Sequence, residues 1–541
     1  MPESISFDSI GNKGLNSDVA PWSLPPEYIT SGKNFRIYAG SIRAAGGSAD
    51  WAIAPSMFNP GHVQSVGSTT GDWWVVLGRA KVYAFDGNIG WNDISSTAGY
   101  AALGVDDELK WTSCMLAQIP VYNNPQTRPE AWLSQDGVSK LVPLQWDAVD
   151  TWETKGITCE VMRSHKNFLV AMDLTEGSTH YPNVVRVSTA ADINGMPYTW
   201  DEADKAGLAV RFQLGGDGGK IIDGLSLRDN FVVYSERSID IITYTGGEFV
   251  WSKRELSNTV GLLTKNGIAE VKGTHFFFGD GDIYSNDGTQ IQSILYGRIK
   301  EQFTSRVNAD YYHKAFIVKN ETFKEIWFCV PLDDAEHPNV AYIFNWHDNS
   351  WVVRELPYSF DRATGTLIEG LTYAGYGSQT SPSTTWDGLK GKWDAQTQIW
   401  GGRTLSPLDS TIVGVIGNTS QLKILDPTGG LIDSDFSPAK ISRTDFPLGG
   451  HQKTTTITRV YPFMSGDSPV SIQFGAQDFP GGPIRWKPAV IFNPDTERKI
   501  DIRVTGELFC WEVVSVDTGI PGAGRWELTG FLFEFEAAGV R

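Results

Sequence analysis

A chain of 541 residues is long enough for two or three domains, and 41% hydrophobic with 20% charged residues is the composition of an ordinary globular protein, not a disordered or fibrous one. The formal charge of −18 argues against a protein that holds nucleic acid by neutralising phosphates. No apolar run approaches the roughly 18 residues of a membrane helix, so no membrane insertion is expected.

The opening MPESISFDS lacks the basic and apolar regions of a signal peptide, which predicts folding in the cytoplasm. Residues 1–50 are rich in Gly, Ser and Pro and predict an extended arm with turns. From residue 51 a pattern recurs: a short apolar run, a gap, and a second run that often ends in Asp-Gly. WWVVL at 73–77 precedes VYAFDG at 82–87, and HFFFG at 275–279 precedes DIYSNDG at 282–288. Looser copies follow Val121, Phe168, Phe231, Ile326 and Ile412. Counted from Trp73, Val121, Phe168, Phe231, Phe276, Ile326 and Ile412, the runs are separated by 48, 47, 63, 45, 50 and 86 residues. Most of these spacings fit the roughly 40 to 50 residues of a four-stranded propeller blade. Asp-Gly supplies the positive φ of a tight hairpin turn.

The fold expected is therefore all-β: a β-propeller of six to eight blades over residues 51–440, with a β-sandwich or several small β-domains as the alternative. An insertion at 357–410 contains Trp386, Trp393 and Trp400 at intervals of seven. Gly388, Gly391, Gly401 and Gly402 oppose a helix there, so it reads as a loop with docking indoles. Residues 441–541 alternate apolar and polar positions and predict a separate small β-sandwich or an edge sheet. They carry 10 Lys and Arg against 12 Asp and Glu, a balance of −2, which leaves −16 of the charge to residues 1–440.

Chemistry-bearing motifs are sparse. SQDG at 134–137 and SNDG at 285–288 resemble the Asp-box turn of sialidase-like propellers but lack its aromatic closing position, and read as hairpin turns. GGDGGK at 215–220 fails as a phosphate loop, because Leu214 replaces the first glycine and Ile221 the Ser or Thr. DGDIYSNDG at 280–288 fails as a calcium loop, with Tyr284 at a ligand position and Ile291 where the closing Glu belongs. The eight histidines, His62, His165, His180, His275, His313, His337, His347 and His451, show no zinc spacing. Cys114, Cys159, Cys329 and Cys510 form no C-x-x-C pair and read as buried thiols. Trp73, Trp74 and Phe276 to Phe278 read as packing between blades. No catalytic, cofactor or metal residue is assigned, and the chain is read as no enzyme.

The segments GLNSDVAPWSLPPEYITSGKNFRIYAGSIRAAGG (14–47), NNPQTRPEAW (123–132), GIAEVKGTHFFFGDGDIYSNDGTQIQSI (267–294), YIFNWHDNSWVVREL (342–356), TWDGLKGKWDAQTQIWGG (385–402) and the ending GRWELTGFLFEFEAAGVR follow one another in an order that resembles the podovirus tail nozzle proteins, also called tail tubular protein B or packaged-DNA stabilisation proteins. The resemblance implies a structural subunit of a short-tailed bacteriophage. It would form a homohexameric ring below the portal and adaptor, with tail fibre or tail needle proteins as further partners, and sit in the virion tail after synthesis in the host cytoplasm. Double-stranded DNA would pass through the ring without tight binding, in keeping with the acidic balance. KGKWD at 390–394, and Arg485 with Lys487, are the candidate local DNA contacts, or else partners of acidic neighbours in the ring. A carbohydrate-active or glycan-binding propeller of a phage tail is the alternative reading.

Overall fold

A computed structural model describes residues 3–540 except 54, 56–59, 69–70, 87–89, 101–109, 193–194, 205–207, 247–249, 358–370, 379–409, 417–420, 426–436, 449–452 and 519–524. Seven four-stranded antiparallel sheets follow one another around a ring among the described residues, so the protein is a seven-bladed β-propeller. Blade 1 is Pro60–Ser68, Gly71–Gly78, Val82–Phe85 and Trp91–Asp93; blade 2 is Thr112–Leu116, Ile119–Asn123, Pro129–Ala131 and Val142–Pro143. Blade 3 comprises Ile157–His165, Phe168–Glu176, Thr179–Val187 and Val210–Gln213, and blade 4 Ile221–Leu227, Asn230–Ser235, Ile239–Tyr244 and Trp251–Ser257. Blade 5 runs through Ile268–Val271, Thr274–Gly279, Asp282–Asn286 and Ile291–Ser293, and blade 6 through Phe316–Asn320, Glu325–Val330, Val340–Asn345 and Ser350–Glu355. Blade 7 takes Leu371–Ser378, Ser410–Ile416 and Gln421–Leu425 from the end of the ring and its outer strand, Ser48–Ile53, from the beginning of the chain.

Each apolar run singled out in the sequence forms the second strand of a blade, and its companion run the third. The reason is burial on both faces. A second strand packs against the blades before and after it, as when Phe231, Val232, Val233 and Tyr234 are all buried. Clusters bridging neighbouring blades cement the ring, for example Val75, Leu77 and Val82 with Trp111, Tyr122 and Trp132. Blade 7 closes onto blade 1 through Val413, Val415 and Leu422 against Trp74, Val76 and Phe85.

The C-terminal unit is a sandwich of two six-stranded sheets. One has the order Phe35–Tyr38, Ser41–Ala44, Trp526–Val540, Lys453–Gly466, Ile500–Gly506, with Glu3–Phe7 also on Trp526–Val540. The other has the order Ser31–Lys33, Lys440–Pro447, Leu508–Ser515, Val470–Gln477, the last bordered by the short strands Arg485–Trp486 and Val490–Phe492. Phe446, Phe474, Phe509, Trp511, Phe531 and Phe533 fill the space between.

Residues 1–50 thus do not run as a detached arm. Four of their strands enter the sandwich and the fifth closes the propeller. Between them, Leu15 N donates to Trp351 O at 2.8 Å, and Asp18 caps the helix Lys300–Arg306 by accepting from Lys300 N and Glu301 N at 3.0 and 3.1 Å. The sandwich is fastened to blade 6 by Arg36, whose guanidinium meets buried Glu325 at 2.5 and 3.0 Å and lies 3.6 Å from the Phe323 ring centroid. The 357–410 segment is not wholly an insertion, because Leu371–Ser378 within it is the first strand of blade 7; its Trp386, Trp393, Trp400 and KGKWD lie outside the described residues, as does His451.

Candidate functional site

A propeller offers two natural places for a ligand: the axial channel and the clefts between blades. The first strands of the blades line the axis, and side chains of blades 1 to 5 form a polar belt there among the described residues. Arg163 of blade 3 meets Asp223 of blade 4 with both arms, Nε to Oδ1 at 2.8 Å and Nη2 to Oδ2 at 2.6 Å. Its remaining N–H groups donate to Ser113 O at 3.0 Å and Asn266 Oδ1 at 2.9 Å. The Ser113 hydroxyl in turn meets His62 Nε2 of blade 1 at 2.8 Å. Burial, reinforced by the Arg163 charge, pushes His62 down to about 3, so the ring is neutral at physiological pH.

Other bonds cross the axis. Asn266 Nδ2, at the start of blade 5, donates to Trp111 O of blade 2 at 3.3 Å, and Lys110 Nζ donates to Thr264 Oγ1 at 2.9 Å and to His313 O. Blades 2 and 5 stand on opposite sides of a seven-membered ring, so these bonds span the axis at this end. The charged groups of the belt are matched with one another: Arg163 with Asp223 and Lys265 with Glu160. Such an arrangement holds the blades in register, with Lys110 spent on neutral oxygens of Thr264 and His313.

The second place is a groove of about 800 Å³ on the outer rim between blades 2 and 3. Leu133, Val142, Pro143, Met196 and Tyr198 supply its apolar wall, and Asp147, Asp192, Asp201 and Asp204 its carboxylates. No Lys or Arg lines it among the described residues. Trp200 lines it and is backed by a buried aromatic cluster: Trp152 and Trp200 meet edge to face at 4.8 Å, with Trp146 stacked 6.5 Å from Trp200. The wall formed by Asp192, Met196 to Asp201 and Asp204 belongs to the connection between the third and fourth strands of blade 3. That connection is also what stretches the spacing between Phe168 and Phe231 to 63 residues, a mark in the sequence that pointed to an insertion and went unread as a site.

The motifs weighed in the sequence are turns. Asp136 of SQDG accepts from Val138 N, Ser139 N and the Ser139 hydroxyl, and Gly137 at φ +80° lies against the Trp73 indole. Asp287 of SNDG accepts from Thr289 N, its hydroxyl and Gln290 N, bonds that hold its carboxyl down at about 2. Asp282 of the calcium-like stretch is engaged by Lys300 Nζ at 2.6 Å and by the Ser293 hydroxyl at 2.9 Å. Gly216–Gly218 of GGDGGK makes a single 3-10 turn ahead of blade 4. His347 lies in the hairpin between the last two strands of blade 6, where Asn345 Oδ1 accepts its backbone N–H.

In NNPQTRPEAW, Arg128 and Glu130 form a buried ion pair at 2.9 Å, and Tyr100 donates to the same carboxylate at 2.7 Å. All four cysteines are buried, and burial raises each thiol, Cys114 and Cys510 to about 12. Trp74 and Phe276 to Phe278 are core residues. Arg485 pairs with Asp478 of its own chain. Among the described residues no three His, Cys, Asp or Glu side chains are grouped to hold a metal ion, and no helix is long and apolar enough to cross a membrane.

No protein-family model and no curated protein matches the chain. Among solved structures it is similar to YCF48 from Cyanidioschyzon merolae, at TM-score 0.36 and 10% identity over 70% of this chain and 99% of that one. It is also similar to BBS1N in complex with ARL6DN, at 0.38 and 10% over 71% and 97%, and to exo-beta-1,3-galactanase from Phanerochaete chrysosporium, at 0.27 and 11% over 81% and 98%. Likenesses this low carry no functional assignment, and the propeller stands on its own sheet topology.

Proposed function

We propose that the chain is a structural subunit of a short-tailed bacteriophage tail, the nozzle protein that forms a ring below the portal and adaptor through which DNA is retained and ejected. The observation that carries this reading is the bonding across the propeller axis. Where a propeller acting on a small ligand would keep an open, unsatisfied pocket, this one has a hydrogen bond from Asn266 Nδ2 to Trp111 O and a matched pair of Arg163 and Asp223. Propeller and sandwich are joined by Arg36 with Glu325 and by Asn34 with Glu355. The order of sequence segments resembling the nozzle family supplies the particular assembly. On this reading DNA travels in the channel of the ring and not through any single propeller. The net charge of −18 keeps the wall from gripping it.

Mass spectrometry of purified virions, followed by symmetry-resolved electron microscopy of their tails, tests the reading. The chain is expected in the particle as six copies at the tail. Its absence from the particle overturns the structural role, and another copy number overturns the hexamer.

The rim groove favours a second reading, a glycan-binding or glycan-active propeller, since exposed Tyr198 and the carboxylates of Asp201 and Asp204 are groups that engage sugars. Hydrolysis or retention of host capsule by purified protein would support it over the first.

A further inference from the structure

Two bare surfaces lie at opposite poles of the molecule. The sandwich is tied to blade 6. In a ring of seven, the gap between blades 2 and 3 lies diametrically across from blade 6, and that gap holds the acidic groove. Its rim exposes Leu133, Val142, Val149 and Tyr198, at 40 to 87% of their surface. At the other pole, the sheet that begins with Ser31–Lys33 beside blade 6 ends four strand positions away, about 19 Å, at the strands Arg485–Trp486 and Val490–Phe492. Every residue from Arg485 to Ile491 is exposed, and Phe479 beside them is 55% exposed. Uncovered apolar patches of this kind mark contact sites, and a bare sheet edge invites another chain.

We propose that these surfaces meet between copies: the sandwich edge of one chain, carrying Phe479, Trp486, Lys487 and Ile491, seats in the groove between blades 2 and 3 of the next. The occupant is a second copy because both halves of the match belong to this chain and sit at its two ends. Charge agrees. Asp147 of the groove lies beside Lys155 at 3.6 Å and Arg485 of the edge is engaged by Asp478, so the complementary pair is Asp201 in the groove with Lys487 on the edge, the latter without an ion pair in its own chain among the described residues. Edge against edge about a two-fold axis would instead bring cation to cation. The contact is heterologous, so its repetition closes a ring when the rotation allows. The proposal rests on the ring reading above and names its contact.

The test uses the full chain with single surface cysteines, since the four native thiols are buried. Leu133→Cys and Ile491→Cys variants are oxidised separately and mixed, and assembly is followed in parallel by electron microscopy. The expected result is a disulfide-linked pair in the mixture alone. Asp201→Lys in the groove chain should lower its yield about tenfold, and Lys487→Glu on the edge chain should restore it. Self-linking of Ile491→Cys overturns the proposal in favour of an isologous edge. Rings seen without a cross-link overturn this contact and leave the ring reading intact. Absence of both overturns the two together.

Discussion

Arg163 shows how one side chain can organise a ring. It is 12% exposed and satisfies Asp223, Ser113 and Asn266 at once, so four blades depend on its position. Removing it strands a buried carboxylate. Arg163→Ala is therefore expected to cost about 3–5 kcal/mol, read as a lowered urea midpoint, whereas Arg163→Met with Asp223→Leu should recover most of that loss. The buried histidines set the response to acid. His62 is held at about 3, and His165 and His275 at about 4, chiefly by burial. In the unfolded chain each takes up a proton near pH 6.5. Between that value and the folded one the unfolded state binds more protons, so stability is complete above about pH 6.5 and declines as pH falls toward 4. Glu130, Asp173 and Asp240, raised by burial, act in the opposite sense. The measurement is thus a difference: Tm between pH 7 and 5 should fall less steeply for His275→Gln than for the unaltered chain.

Among the elements, the hairpin is the unit that repeats, and its turns differ in what surrounds them. Gly40, at φ +81° between Tyr38 and Ser41, has open space where a Cβ would stand. Gly137, at φ +80°, would place a Cβ 2.2 Å from the Trp73 ring. Gly40→Ala should cost only the left-handed backbone strain, about 1–2 kcal/mol. Gly137→Ala adds overpacking of about 1–3 kcal/mol, and thermal melts of the two variants should separate accordingly. Second and third strands were legible in the sequence because burial on both faces demands unbroken apolar runs, as in IWFCV and AYIF. Outer strands were not. Trp251–Ser257 of blade 4 reads WSKRELS because solvent covers it, and Val142–Pro143 is two residues long. The groove wall of Asp192, Met196 to Asp201 and Asp204 carried only a spacing anomaly, and the axial belt carried none, since Arg163 and Asp223 sit singly in strands 60 residues apart.

For the whole molecule, charge decides the relation to DNA. With 63 acidic residues against 45 basic ones, and Arg485 engaged by Asp478, phosphate neutralisation has little to draw on. Titration of labelled duplex at low and moderate salt is expected to show no binding by the free chain. Submicromolar affinity falling steeply with salt would overturn the non-gripping conduit.

What the sequence by itself determined was the repeat: apolar runs at propeller spacing, Asp-Gly turns, and an alternating C-terminal unit, each a local consequence of strand burial and backbone geometry. Blade count, closure and channel were decided only in three dimensions. Ser48–Ile53 completes a blade whose other strands begin at Leu371, and no local propensity links segments that far apart. The bonds from Lys110 and Asn266 across the axis exist only once seven blades bring opposite strands within reach. The two exposed poles likewise become opposite ends only because the sandwich is anchored at blade 6, where Arg36 finds Glu325 in the core.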